Sequence, residues 1–194
     1  IGLLAGMIAQ AYGAHAILLD LVDERLQFAK ELGIEYVINS KTEDTVKRIS
    51  EITNGVMAQQ VMECSGANAA IRSTLDLVSN AGRITLTGWP KTETPLPTDL
   101  ITKKEVDIRG ARTSAGEFEE AIELIHSGRV DIKKILTKVI SIDEAPATII
   151  DIEKNPGIMQ TVTSDSSNGY LEKRNERVSK RNFFKIDVSR KFFF

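Results

Sequence analysis

The hydrophobic pattern of the chain begins with a run of small and apolar residues that carries no charge from Gly2 to Tyr12. Such a run predicts a helix buried along most of its circumference. Gly13 is placed to end that helix, because glycine adopts the left-handed conformation of a C-cap without strain. The apolar segment 16–19 then predicts a short buried strand that ends at Asp20.

Beyond Asp20, amphipathic segments alternate with short apolar runs. Helices are predicted over residues 22–32, 42–52, 68–78, 116–127 and 142–154. Strands are predicted over residues 34–38, 60–64, 83–87, 106–110, 136–140 and 158–162. This alternation implies an α/β fold with a parallel sheet and right-handed crossovers.

Helical spacing also predicts which apolar side chains face the core. These are Val22, Leu26, Ala29 and Leu32, then Val46, Ile49 and Ile52, and later Phe118, Ala121, Ile122 and Ile125. Residues 80–82 predict a turn into the following strand. Ser141 and Glu144 have the spacing of a capping box.

Two segments stand apart from the alternation. Residues 88–97 form a proline-punctuated loop beyond the carboxyl end of a predicted strand, which is where open α/β sheets bind ligands. After a polar linker at 163–169, residues 170–194 hold eight Lys and Arg against three Asp and Glu, with five of the seven phenylalanines. We therefore divide the chain at 163, and expect 164–194 to be a disordered tail. The bias of this tail fits an unselected extension better than a surface-binding segment for a membrane or partner.

Composition narrows the function classes. A formal charge of −2 gives no general attraction to nucleic acid or to an anionic membrane, and no apolar run approaches the roughly 18 residues of a membrane span. The single cysteine excludes an internal disulfide and suits a reducing compartment, which favours the cytoplasm. One cysteine and two histidines without convergent spacing are too few for a catalytic zinc site. We expect no metal ligand and no catalytic residue in this chain, and interpret Cys64 as a pocket-lining residue.

The opening residues indicate half of a nucleotide-binding motif. A helix, a glycine stop, a buried strand and a terminal acid form the second part of a dinucleotide-binding βαβ unit. Gly2 fits the third glycine of Gly-x-Gly-x-x-Gly, so we expect the chain to begin inside that motif. Alternatively, Gly2 is ordinary helix packing and Asp20 only caps the next helix.

An ordered series of short motifs resembles the zinc-dependent medium-chain dehydrogenases, closest to the polyol, threonine and sugar-acid branch, over about residues 1–163. The motifs are Asp20, Arg25-Leu26, Ala29-Lys30, Gly33, residues 63–66, Gly82-Arg83, Gly88 and residues 104–110. The resemblance implies a doubly wound Rossmann fold of strand order 3-2-1-4-5-6, truncated here within the first βα turn. It further implies NAD(H) binding, a final segment that returns to a separate catalytic domain, and zinc ligands in that other domain.

The resemblance also implies the residues that line the cofactor. Ile1 and Gly2 open the first helix. Asp20 accepts hydrogen bonds from the hydroxyls of the adenosine ribose and disfavours NADP, and Arg25 lies against the adenine. The remaining matching positions are Cys64, Ser65 and Gly66, then Thr87, Gly88 and Trp89 near the nicotinamide, and finally Ala111 and Arg112 near the nicotinamide and substrate. Trp89 as a loop aromatic and Arg112 as a surface arginine are the alternatives.

For the intact protein, the resemblance implies reversible hydride transfer between NAD and a secondary alcohol of a polyol or sugar acid, with zinc polarising the alcohol oxygen. It also implies a cytoplasmic homo-oligomer. A second hypothesis is a non-catalytic cofactor-binding remnant. A third is a Rossmann-like domain for S-adenosylmethionine, which the charge-free helix start and the segment after Gly88 disfavour.

Overall fold

A computed structural model describes residues 1–114 and 116–155, together with the backbone of 162–164. These residues form two compact units, and the boundary along the chain falls between Asp131 and Ile132. The first unit holds six helices and five strands among its described residues. In chain order they are α1 (Gly2–Ala11), β1 (Ile17–Asp20), α2 (Asp23–Glu31), β2 (Tyr36–Asn39), α3 (Thr45–Ile52), β3 (Ala58–Glu63), α4 (Asn68–Leu77), β4 (Val78–Leu86), α5 (Thr98–Lys104), β5 (Asp107–Gly110) and α6 (Phe118–His126).

All strands of this unit run parallel, in two separate ladders. One ladder pairs β1 with β2, and the other has the order β3-β4-β5. The pairs Asp20↔Asn39 and Leu86↔Gly110 bring successive strands to a common carboxyl edge within each ladder. No described strand is hydrogen-bonded between β1 and β3. The order therefore corresponds to 3-2 and 4-5-6 of the expected sheet, and the α/β prediction is confirmed.

Two apolar clusters hold helices against the strands. Ile38 packs with Ile49 and Leu77, while Leu75 packs with Val78 and Ile84. Lys104 binds the backbone of two residues in the second cluster: its Nζ donates to the carbonyls of Leu75 at 2.7 Å and Val78 at 2.9 Å. A lysine at these carbonyls neutralises the negative end of helix α4.

Several local predictions were wrong. The strand β1 is half-buried along its whole length, because only one of its edges is paired. Val46 is exposed rather than inward. By contrast, the predicted turn at 80–82 is confirmed as an interruption within β4: Val78 pairs with Ala58, Ala81 has a φ of +50°, and regular pairing begins at Arg83. The helix α5 was not predicted.

The apolar face of α6 is the largest difference. Phe118, Ile122 and Ile125 are 70%, 60% and 43% exposed, and Ala121 is exposed as well. Leu124, which was not among the predicted inward positions, is 6% exposed. The helix therefore uses the side of Leu124 to contact its own unit, and the predicted inward face is turned to the outside.

The second unit contains β6 (Lys138–Ile140), α7 (Ala145–Lys154) and β7 (Val162–Ser164), with β6 and β7 parallel. The capping box is confirmed. The Ser141 side chain accepts from the Glu144 backbone, and Glu144 accepts from the Ser141 amide at 2.8 Å. This hydrogen bond lowers the pKa of Glu144. Thr163 and Ser164, predicted to be linker, lie in β7, whereas residues 158–161 and 165–194 lie outside the described part.

Candidate cofactor site

The carboxyl ends of β3, β4 and β5 are tied together by backbone hydrogen bonds. The amides of Thr87 and Gly88 donate to the carbonyl of Glu63 at 2.9 and 3.0 Å, and the Thr87 hydroxyl donates to the same oxygen at 2.7 Å. One strand further along, the amide of Ala111 donates to the carbonyl of Leu86 at 2.9 Å. Three of the predicted segments, 64–66, 87–89 and 111–112, are therefore assembled at one edge of the sheet.

Glu63 organises this edge from within. Its side chain is 4% exposed, and its Oε1 accepts from the amides of Ser65 at 2.8 Å and Gly66 at 3.1 Å, and from the Ser65 hydroxyl. A buried carboxylate that accepts several hydrogen bonds fixes the turn that donates them. Glu63 belongs to the motif at residues 63–66 but was not among the predicted site residues. Its position beside Ser65 and Gly66 in an acid–small–glycine turn was the available signal.

Glycine is required at two positions here because the chain segments come very close. A β-carbon on Gly66, where φ is +71°, would lie 2.5 Å from the carbonyl oxygen of Trp89. A β-carbon on Gly88 would lie 2.1 Å from the amide nitrogen of Gly66. The turn after β3 and the loop after β4 are thus in direct backbone contact, which fixes the position of the Trp89 backbone.

The helix α1 begins at the same edge. Its first backbone hydrogen bond runs from the Ala5 amide to the Ile1 carbonyl at 3.0 Å, and no side chain caps its N-terminus. A β-carbon on Gly2 would lie 3.8 Å from Cβ of Cys64, an ordinary contact. The first amides and the positive dipole end of α1 therefore lie beside the end of β3, in the arrangement that favours phosphate binding.

Asp20 and Arg25 form the other part of the candidate site, at the carboxyl end of β1. Asp20 Oδ1 accepts from the amides of Leu21 at 2.7 Å and Val22 at 3.1 Å, and its Oδ2 lies 3.6 Å from Nη1 of Arg25. About a quarter of the Asp20 side chain is exposed, at 26%. A carboxylate offers about four acceptor positions, so these contacts leave capacity for ribose hydroxyls.

Trp89 and Arg112 form a stacked pair. Arg112 Cζ lies 4.3 Å from the centroid of the Trp89 ring, within the range of a cation–π contact. Trp89 is 71% exposed and Arg112 is also exposed. The two residues, expected separately near the nicotinamide, contact each other, and both side chains are exposed at the surface.

The remaining predicted residues differ in how far their side chains are exposed. Ile1 is 80% exposed, and Ser65 and Ala111 are exposed, while Cys64 is half-buried. Both histidines are exposed. Across the described ranges, no group of three or more His, Cys, Asp or Glu side chains is placed to hold a metal ion. Nor does any helix of this part combine the length and hydrophobicity needed to cross a bilayer.

The chain is similar to curated dehydrogenases along most of its length. It is 54% identical over 156 residues to an uncharacterised zinc-type alcohol dehydrogenase-like protein of Haemophilus influenzae, covering 80% of this chain and 46% of that protein. It is 34% identical over 146 residues to the sorbitol dehydrogenase of Bacillus subtilis, covering 74% and 41% of the two chains. The chain therefore spans about half the length of the curated relatives that it matches.

A solved structure and a family model agree with these relatives. The benzyl alcohol dehydrogenase of Acinetobacter calcoaceticus superimposes with a TM-score of 0.75 at 29% identity, over 84% of this chain and 46% of that one. The family model described as zinc-binding dehydrogenase matches residues 1–127. The chain belongs to the zinc-binding dehydrogenase family.

Proposed function

We propose that this chain is the NAD-binding part of a zinc-type dehydrogenase that acts on a secondary alcohol of a polyol or sugar acid. The carrying observation is that the N-terminus of α1, at Gly2, lies beside Cys64 at the end of β3. When bound, the nicotinamide cofactor supplies the hydride acceptor. The protein's contribution here is to bind and orient that group.

Each predicted residue except Ile1 has a role in this proposal. The first amides of α1, at Gly2 and the residues after it, donate to the pyrophosphate, while Asp20 accepts from the ribose hydroxyls and Arg25 covers the adenine. The half-buried Cys64 and the turn through Ser65 and Gly66 line the cofactor groove. The backbone around Thr87 and Gly88 lines the nicotinamide end, together with Trp89, Ala111 and Arg112.

NAD is proposed over NADP because Asp20 is negatively charged and neither Leu21 nor Val22 carries a cation that a 2′-phosphate would need. The described residues of this chain do not fit a zinc site, so no step of the reaction is attributed to a metal held by them. We further propose that the full-length protein is a cytoplasmic homo-oligomer, and that residues 1–194 alone have no dehydrogenase activity.

The experiment is isothermal titration of the full-length protein with NADH, NADPH and S-adenosylmethionine, combined with an assay of sorbitol oxidation by NAD. We expect NADH to bind more tightly than NADPH, and S-adenosylmethionine not to bind. Binding of S-adenosylmethionine without NADH would refute the proposal. Binding of NADH without oxidation of any polyol or sugar acid would favour the alternative of a non-catalytic cofactor-binding protein.

A further inference from the structure

The stacked pair Trp89–Arg112 presents a fixed cation at the edge of the sheet that holds the candidate cofactor site. The backbone of Trp89 is held by its contact with Gly66, and the Arg112 guanidinium lies 4.3 Å from the centroid of the indole ring. Arg112 follows Ala111, whose amide is bonded to the carbonyl of Leu86. The pair is thus supported from both β4 and β5.

Arg112 differs from the other arginines of the described part in its hydrogen bonding. Arg48, Arg72, Arg83 and Arg109 each form an ion pair with a carboxylate at 3.4 Å or less, and Arg25 pairs with Asp20 at 3.6 Å. Arg129 donates to the carbonyl of Ala11. Within the described ranges, Arg112 contacts the face of Trp89 and makes no ion pair, so its fork of donors is open to a ligand.

A guanidinium that is stacked on an indole has lost much of its conformational freedom, which lowers the entropic cost of binding a planar anion. The fork of donors matches a carboxylate bidentately. We propose that Arg112, held by Trp89, binds the carboxylate of the substrate, so that the preferred substrates are sugar acids rather than neutral polyols. The inference rests on the proposed function, because it places this pair next to the reacting end of the cofactor.

A phosphate of the cofactor is the other anion that could meet Arg112. The two sources differ in what they predict. If Arg112 binds the substrate, its removal changes the discrimination between acids and polyols. If Arg112 binds the cofactor, its removal weakens the binding of NADH equally in the presence of either substrate.

The test compares substrates that share a carbon chain and differ at one end, in the full-length protein. The pairs are gluconate with sorbitol and galactonate with galactitol, with NAD as the oxidant. We expect the wild type to have the higher kcat/KM with the acid of at least one pair. In Arg112→Gln, the acid-to-polyol ratio of kcat/KM should fall about ten- to a hundredfold, the loss expected for a charged hydrogen-bond partner. In Arg112→Lys, the acid-to-polyol ratio of kcat/KM should fall by an intermediate factor, because lysine keeps the positive charge but lacks the two parallel donors of the guanidinium.

Arg72→Gln is the matched control, since Arg72 is a partly exposed arginine that pairs with Asp76 in its own helix. Its acid-to-polyol ratio should equal that of the wild type. The dissociation constant of NADH, measured by titration for each variant, separates the two anions. An unchanged ratio in Arg112→Gln, or an equal loss for acids and polyols with weakened NADH, overturns the inference while the proposed function stands. A wild type that does not bind NADH overturns both.

Discussion

The carboxylate of Asp20 contacts its own chain and is still partly open to a ligand. Its Oδ1 holds the amides of Leu21 and Val22, which lead into α2, and its Oδ2 faces Arg25. Asp20 therefore holds the turn that precedes α2, but it does not cap that helix, whose N-cap residue is Val22 and which has no side-chain cap. About a quarter of the Asp20 side chain remains exposed to a ribose. The two roles can be separated by substitution.

Asp20→Ser combined with Leu21→Arg should move cofactor preference toward NADP. The change removes the charge that repels a 2′-phosphate, frees Arg25 from its ion pair and adds a second cation. The measurement is the ratio of kcat/KM for NAD and NADP in the full-length protein. A ratio unchanged from that of the wild type would remove Asp20 from the ribose site.

Asp20→Asn is the control for the structural role. Asparagine keeps an oxygen for the two amides but loses the negative charge. We expect it to narrow the discrimination between NAD and NADP while the unfolding midpoint in urea stays close to that of the wild type. A large loss of stability with unchanged discrimination between NAD and NADP would indicate that Asp20 only holds the turn before α2.

Glu63→Gln should destabilise the protein by roughly 1–3 kcal/mol, the range for a buried hydrogen-bonding group left without its partner. Both carboxylate oxygens lie 3.1 Å from the Gly66 amide, and Oε2 lies only 2.5 Å from the position that a β-carbon on Gly88 would take. The amide group of glutamine would bring a donor to this crowded position. We expect the dissociation constant of NADH to rise as well, because the turn at 65–66 loses its anchor. Urea unfolding and NADH titration of the full-length protein provide the two measurements.

Ser65→Ala is the matched variant, since it removes one donor to Glu63 and leaves the carboxylate in place. Its effect on both quantities should be smaller than that of Glu63→Gln. If Glu63→Gln unfolds at the wild-type urea concentration and binds NADH normally, Glu63 does not position this turn.

At the residue scale, the sequence predicted the segments of the site better than their chemistry. Cys64, the single cysteine, was predicted to line the pocket, whereas Glu63 accepts the hydrogen bonds that hold the turn at 65–66. Burial of a charged residue depends on donors supplied by a turn and on the approach of a second loop at Gly88. None of these contacts is visible as a spacing along the chain.

Among the elements, α6 shows what periodicity leaves open. The residues Phe118, Ile122 and Ile125 lie on one side of this helix, yet Leu124 is the one buried. A periodic pattern identifies an apolar face but not the element that covers it. The α5 helix was not predicted for a different reason. It has only seven residues after Pro97, and two threonines and two lysines among them leave too few apolar positions for a helical pattern.

The orientation of α6 can be tested by a pair of alanine substitutions, in a form of the domain extended at its N-terminus by one further strand. Leu124→Ala should lower the free energy of unfolding by roughly 2–5 kcal/mol, as for other buried leucines. Ile122→Ala should change it by no more than about 0.5 kcal/mol, because the side chain is 60% exposed. The opposite ranking in urea unfolding would show that the predicted inward face is the correct one.

The β4–β5 ladder carries an ion-pair cluster that should make stability depend on pH. Asp107 accepts from Nε of Arg109 at 2.9 Å and from Nε of Arg83, its ladder partner, at 3.0 Å. These hydrogen bonds, that of Arg109 first, lower the pKa of Asp107 below its ordinary value of 3.8. A lowered folded-state pKa stabilises the fold above the unfolded-state value, and this contribution is lost as the pH falls through the folded-state pKa.

Asp107→Asn should therefore flatten the acid side of the stability curve below about pH 4, the region of the unfolded-state pKa. The measurement is the urea midpoint of wild type and variant between neutral pH and the acid limit of folding. Asp76→Asn, which breaks an ion pair within one helix, serves as the comparison. Parallel curves for the wild type and Asp107→Asn would show that Asp107 has the same pKa in the folded and unfolded states.

For the whole molecule, alternation of helices and strands was sufficient to predict the fold class, because a parallel strand needs a crossover and the crossovers here are helical. The sheet order required the resemblance to the family. The structure agrees with that order in both of its ladders, β2-β1 and β3-β4-β5. The family order places a further strand between β1 and β3, and the edge of β1 on that side is unpaired among the described residues.

A strand in that place would be central, with both faces and both edges covered. About five buried apolar residues at roughly 1.5–3 kcal/mol each would contribute on the order of 8–15 kcal/mol, an upper estimate comparable to the stability of a whole domain. It would also pair the backbone groups along the facing edges of β1 and β3. We therefore expect residues 1–163 alone to be marginally stable or prone to aggregation, and a form extended by one strand and a Gly-x-Gly turn to fold cooperatively and bind NADH. The measurement is thermal unfolding of the two forms, with NADH titration of each. If the shorter form has a sharp, reversible transition near that of the longer one, no strand belongs between β1 and β3, and the sheet order inferred here is wrong.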